Sequence, residues 1–221
     1  MTRQESDTAE KILDAALVEF SRKGKNGATV NDIAARAGAN KAMIYYYFHN
    51  KDGLYEAVFV HIIGQIVPTV LNAFTAAAGI EDLVQRLVNA YVDYIADHRD
   101  NIRLVLRELA AGGPTLVQVL RGQLQTMGFD VPVLLTNVIQ SYMASGDIRR
   151  MDPRQLVISF VGLCVFYFAG QPIIKAILQT PEEDDEFLEE RKASIVDLFL
   201  NGIRGAGIHP SMHREEDKEV R

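Results

Sequence analysis

The chain has 221 residues, 48% of them hydrophobic and 24% charged, with a formal net charge of -6 at pH 7. That length holds one large domain, or a small domain joined to a larger one, with enough apolar material for a proper core. Its lone cysteine, Cys164, excludes a disulfide framework within the chain and a four-cysteine metal site, and the polar start MTRQESDTAEK is unlike a secretory signal.

The first predicted element is a helix capped by Asp7 or Thr8, with Ile12, Ala16 and Phe20 as a stripe at spacing four. A short helix follows. Thr29 is its expected N-cap, and Asp32, three residues on, approximates a capping box. Ile33 anchors it, while Ala34, Ala35 and Ala37 keep it slim. Gly38 supplies the positive φ of a tight turn, where a side chain is expected to clash. Asn40 then caps a second short helix in which Ile44 and Phe48 share the buried face. Lys41, Ala42, Tyr45 and Tyr46 face away from that side, with Met43 and Tyr47 between the two. Helix, short helix, glycine turn and short helix is helix-turn-helix organisation, with the motif over about 29–48.

Charge points the same way. Residues 22–51 hold Arg22, Lys23, Lys25, Arg36, Lys41 and Lys51 against Asp32 alone, a local balance of +5. Residues 52–221 hold 15 basic and 23 acidic side chains, a balance of -8. A basic tip on an acidic body is the footprint of a localised contact with double-stranded DNA. Tyr45, Tyr47 and Lys51 are expected at phosphates, and Asn40, Lys41 and Tyr46 at base edges; Thr29 and Ala42 complete the candidate set.

Everything downstream reads as helix. Leu54, Val58, Ile62 and Ile66 make one stripe, with Pro68 expected to kink its far end. Leu83, Leu87, Tyr91 and Ile95 make the next, within 80–98. A short helix over 101–111 stops at Gly112–Gly113–Pro114, and 114–145 is expected to break near Gly128. Asp152–Pro153 opens a helix reaching about Gln179, and 184–205 makes the last. The apolar run 156–170 is fifteen residues, under the ~18–20 that span a bilayer, so no membrane partner is expected. Cys164, inside that run, reads as a buried small hydrophobe. No stretch alternates with period two, so the fold class is all-α. The charged tail, 207–221, is expected to be disordered.

At Ile12, Ala15–Ala16, Phe20, Gly24, Thr29, Ile33–Ala34, Ala37–Gly38, Tyr45, Phe48, Lys51 and Leu54, the chain resembles the TetR family of one-component transcriptional regulators. The resemblance covers roughly residues 6–66 and implies a three-helix DNA-binding domain there. A helical regulatory and dimerisation domain over 67–206 follows from it. It departs at Asn40, Ala42 and Met43, where that family commonly has serine, glycine and threonine. The function implied is a cytoplasmic repressor, a homodimer on a palindromic operator, released by an unidentified small-molecule effector. A transcriptional activator of the same fold is the alternative.

Two further sets of residues follow. A dimer interface between the 153–179 and 185–203 helices is expected to use Ser159, Gly162, Cys164, Ala169, Ile195, Phe199 and Gly202. A mixed polar and apolar effector site would draw on His61, Gln65, Tyr94, Arg103, Arg107, Asn137, Gln140 and Tyr167. No phosphate loop, dinucleotide fingerprint, nucleophile elbow or HExxH pattern occurs, so no catalytic residue, enzyme activity or cofactor is expected. A helical small-molecule-binding protein is a weaker reading. A metal sensor built on His209, His213, Glu215, Glu216 and Asp217 is weaker again, because Pro210 breaks the helix their spacing would need.

Overall fold

The computed structural model describes residues 3–126, 128, 130–179 and 184–204. They form ten helices: α1 (Arg3–Gly27), α2 (Val30–Ala37), α3 (Lys41–Phe48), α4 (Lys51–Ala76), α5 (Ile80–Asp97), α6 (Arg99–Ala110), α7 (Pro114–Thr126), α8 (Val131–Ser145), α9 (Pro153–Leu178) and α10 (Asp185–Ile203). The all-α expectation holds among the described residues, where the sole strand-like feature is an isolated bridge between Ile148 and Arg204. The expected tail and the histidines of the metal-sensor reading lie outside the described residues.

Local signals set most boundaries. Thr29, Asn40, Asn50, Asp130, Asp152 and Asp184 each accept a backbone N–H from the first turn of the helix they precede. Asp7 and Thr8 do not cap α1: the helix already begins at Arg3, so both lie inside it. At its other end α1 bends at Gly24, whose φ of 72° is the left-handed region. Pro68 lies inside a helix that runs on to Ala76. The prolyl nitrogen forfeits one backbone bond there without ending the helix.

Two apolar cores hold the chain. The first joins Ile12, Ala16 and Phe20 of α1 to Ile33, Ile44, Leu54, Val58 and Phe59. It also takes Leu104 from α6 and Val119 from α7, both beyond residue 66. The second gathers Leu83, Val88 and Val92 of α5, Phe160 and Cys164 of α9, and Ile195 and Phe199 of α10. Between them runs α4, whose first half is buried in the first core and whose Ala73 belongs to the second. An expected division at residue 66 therefore falls within one continuous helix.

The helices α4 and α9 each have 26 residues and are long and apolar enough, by length and composition alone, to cross a membrane. The fifteen-residue limit inferred for 156–170 thus does not carry over to the folded helix. Both nonetheless supply buried core residues, among them Leu54, Phe59, Phe160 and Cys164, as core helices of a globular body do.

Candidate nucleic-acid interface and internal cavity

The turn between α2 and α3 is built as its residues require. The Thr29 hydroxyl accepts the Asp32 N–H at 3.1 Å. The Lys23 ammonium, then the Thr29 hydroxyl, hold the Asp32 carboxyl below its ordinary range, with the Thr29 backbone adding to the effect. Gly38 sits at φ 62°, ψ 28° and returns its N–H to the end of α2. A Cβ there would meet nothing within 4 Å, so the constraint is the left-handed backbone and not the expected clash.

This frame leaves one side of α3 in solvent. Ile44 is fully buried and Phe48 packs against the first core, while Lys41, Ala42, Tyr45 and Tyr46 are exposed. Tyr46 is 71% exposed, against 43% for Tyr45. Its ring meets Tyr47 edge to face at 5.0 Å, and Lys41 stands 5.9 Å over the ring of Tyr45. Met43 and Tyr47 are half-buried, as the spacing predicts.

The basic tip needs correction. Lys23 Nζ lies 2.8 Å from Glu19 and 2.9 Å from Asp32, Arg36 Nε lies 2.8 Å from Glu19, and Lys25 Nζ lies 3.2 Å from Asp52. Glu19 and Asp52 fall outside the 22–51 window on which the +5 balance rests. Their carboxylates turn three of the six cations into the ties that hold α1 to α2 and α4. Glu19 is buried, and bonds from Lys23 and then Arg36 keep its carboxyl below the ordinary value. Among the described residues no carboxylate pairs with Arg22 or Lys41. The Lys51 ammonium donates to the Ala28 carbonyl at 3.1 Å, so it first ties α4 to the turn before α2.

In the body, α4 to α10 line a cavity of about 500 Å³. Its wall is apolar side chains apart from Tyr91, Tyr94, Asn101 and Tyr142. Of the eight expected effector residues, Tyr94 alone lines it. His61 and Gln65 lie outside, their side chains 2.9 Å apart. Arg103 turns to Asp100 at 2.7 Å on the surface, and Arg107 donates to the Arg22 carbonyl at 3.1 Å. Asn137 and Gln140 take the exposed side of α8. Tyr167 is buried against Phe168 and Phe187, away from the cavity.

The polar residues that matter on α6 share the face of Leu104. Asn101, Leu104 and Glu108 are its buried residues, at helical spacing, while Arg103 and Arg107 are exposed. Glu108 Oε2 accepts from the Tyr55 hydroxyl at 2.9 Å and Oε1 from the Thr115 N–H at 2.7 Å. Burial pushes its carboxyl upward, but the bonds from Thr115 and Tyr55 outweigh it and leave the value lowered. The same helix reaches the first domain a second way, through Ser21 Oγ donating to Asp100 at 3.0 Å. Leu104 was findable from its spacing; that Asn101 and Glu108 flank it inside, and not outside, depends on α1 and α7 packing there.

The expected dimer residues divide. Cys164, Ile195 and Phe199 are interior to the protomer, at 1%, 0% and 8% exposure, and cannot form an outer interface. Ser159, Gly162, Ala169 and Gly202 are exposed. Beside them lie Ile158, Phe166, Ile173 and Ile177 of α9 and Leu198 of α10, large apolar side chains left in solvent. These are the residues that sequence reading missed.

Comparison with known proteins agrees over both halves. Residues 12–58 match the family model described as bacterial regulatory proteins, tetR family. Residues 81–199 match that of the tetracyclin repressor-like C-terminal domain. The chain is 27% identical over 203 residues to the HTH-type transcriptional regulator RutR of Escherichia coli, covering 92% of this chain and 93% of that one. It is 26% identical over 204 residues to the HTH-type transcriptional repressor NicS of Pseudomonas putida, covering 91% and 95%. The fatty acid degradation regulator FadR from Bacillus halodurans has the same fold, with a TM-score of 0.69 at 22% identity over 89% of this chain and 96% of that one.

Proposed function

We propose that this chain, which belongs to the TetR family of bacterial regulatory proteins, is a cytoplasmic repressor that holds a palindromic DNA site as a homodimer and releases it when an effector fills the cavity. It is a regulator and not an enzyme in this reading. The observation that carries it is the sharing of helices: α4 and α6 both line the cavity and both contribute to the core that supports α3. The name of NicS favours repression over activation.

The exposed face of α3 is the reading surface. Lys41, Asn40 and Tyr46 are placed for base edges at the start and outer side of that helix, and Tyr45 and Tyr47 for the flanking phosphates. Thr29 and Ala42 stand beside them, with Lys51 behind, already fixed to Ala28. One such helix reads only a few base pairs, so two are needed, spaced about 34–36 Å apart for successive major grooves. The apolar stripe Ile158, Phe166 and Ile173 on α9, with Leu198 on α10, is the surface that brings two protomers together.

An effector that prefers one spacing of the heads shifts the population toward it. A tenfold loss of DNA affinity asks for about 1.4 kcal/mol of differential effector binding. The path is short: Val105 and Leu106 of α6 face the cavity, and Leu104 beside them is buried in the first core. The test is duplex release followed by fluorescence anisotropy as candidate effectors are added, with Leu104→Ala as the coupling variant. Release by an effector in the wild type, and weakened release in a folded Leu104→Ala protein, is the result expected. Effector binding that leaves duplex affinity untouched would refute it.

A further inference from the structure

The wall of the cavity narrows the effector to one chemical class, an inference that rests on reading the chain as an effector-responsive regulator. Among the described residues, no side chain that lines it carries a charge. A carboxylate, phosphate or ammonium taken inside would lose its water with no opposite charge to meet it, a penalty that buried ions rarely survive. The volume of about 500 Å³ lies in the range of a drug-sized ligand, so the body of the ligand is hydrocarbon-like and substantial.

One end of the wall is polar, and its hydrogen bonds have a direction. The Ile62 carbonyl can only accept, and the Tyr94 hydroxyl lies 3.3 Å from it and 3.1 Å from Gln65 Oε1. The Tyr94 proton therefore goes outward to these acceptors, and its oxygen receives Asn101 Nδ2 at 2.7 Å. The same Nδ2 reaches Gln65 Oε1 at 3.4 Å. Asn101 is 97% buried by this arrangement, at 3% exposure, and its amide oxygen takes part in none of these bonds. That oxygen is not among the sealed atoms left without a partner, so it stays accessible, and an accessible amide oxygen on a cavity wall can accept from a ligand's donor. Tyr94, raised by burial despite the Asn101 bond that lowers it, stays a neutral phenol and keeps that orientation at physiological pH.

We infer that the effector is an uncharged, largely apolar molecule whose polar end donates a hydrogen bond, as a hydroxyl or an amide N–H does, to the Asn101 side-chain oxygen. A molecule of the same shape that can only accept there leaves the amide oxygen unpaired. One that is ionised faces the uncharged wall as well.

Three compounds built on a ten-carbon chain separate these cases: 1-decanol, its methyl ether and decanoate. Each competes against the fluorescent apolar probe N-phenyl-1-naphthylamine on the full-length protein at pH 8. Decanol should displace the probe at a concentration about tenfold or more below that of the ether or the carboxylate. In Asn101→Leu the alcohol should lose its advantage over the ether while the probe still binds. Val138→Trp, which places bulk on the wall, should weaken the probe itself. The series on the wild-type protein decides the matter even if Asn101→Leu fails to fold. Ether or decanoate equal to decanol would overturn the inference. Anisotropy of a bound duplex in the same samples reads the regulator separately: decanol that binds without releasing DNA upholds the ligand class and refutes the repressor.

Discussion

Phe166→Glu combined with Ile173→Glu should separate the dimer without unfolding the protomer. Both residues lie on the outer side of α9, 69% and 66% exposed, so neither supports the protomer core. Burying a whole phenylalanine or isoleucine side chain contributes about 1.5–3 kcal/mol. With some two-thirds of each still uncovered, covering the remainder contributes about 1–2 kcal/mol per side chain. A two-fold interface counts every residue twice, which gives about 4–8 kcal/mol for the pair across the dimer. At 1.4 kcal/mol per factor of ten, the dissociation constant should rise about a thousandfold or more. Two glutamates facing their own copies add repulsion. Sedimentation velocity at micromolar concentration should show a dimer for the wild type and a monomer for the variant, with nearly equal melting temperatures. Duplex affinity should fall with it, since one head reads half a site. A variant that stays dimeric at the same concentration, or a wild type that is monomeric, would refute the assignment of this face.

Four other outcomes follow from particular residues. Gly38→Ala should cost about 1–2 kcal/mol in denaturant unfolding, from the left-handed backbone alone, and Gly38→Asn less, because no neighbour crowds a Cβ there. An equal cost for both would point to a steric cause. Lys41→Ala should flatten the salt dependence of DNA binding by about one counterion with melting unchanged, whereas Lys51→Ala should also lower the melting temperature by freeing the Ala28 carbonyl. The Glu108 carboxyl is lowered in the fold, so its contribution to stability is present above the ordinary carboxylate value and lost as pH falls through the lowered one. Glu108→Gln should therefore be less stable than the wild type at neutral pH, with the gap closing in acid; a gap constant with pH would contradict this. Cys164 is 1% exposed and burial pushes its thiol up to about 12, so iodoacetamide should label it only on unfolding, and rapid labelling of the native protein would show that α9 opens.

The head of the molecule was legible because its signals are local. Thr29, Asn40 and Gly38 are caps that act within three or four residues, and each occupies its expected geometry. The outward face of α3 followed from two residues, Ile44 and Phe48, that could point only one way. Even there the cations misled, because Glu19 and Asp52 lie outside the basic stretch in sequence and against it in space.

The body was less legible for a definite reason. The α9 helix is apolar nearly all round, so its periodicity does not say which side meets α5 and α10. The choice of Cys164 over Phe166, two residues away, was decided by tertiary packing alone. On α6 the arginines drew attention as polar residues in an apolar pattern, yet Leu104 sets the inner face and brings Asn101 and Glu108 with it. The cavity itself is formed where seven helices meet, from α4 to α10, and no short window of sequence contains it.

Recognition of a particular two-fold DNA site through α3 can be read by selecting bound duplexes from a random pool, with the wild type beside a Lys41→Ala, Tyr46→Ala variant. Both substituted residues are exposed and outside the core, so the variant should fold as the wild type does. Enrichment of one palindromic sequence by the wild type, lost in the folded variant, is the predicted result. A folded wild type that enriches no sequence at low salt, or a variant that enriches the same site equally well, would contradict it.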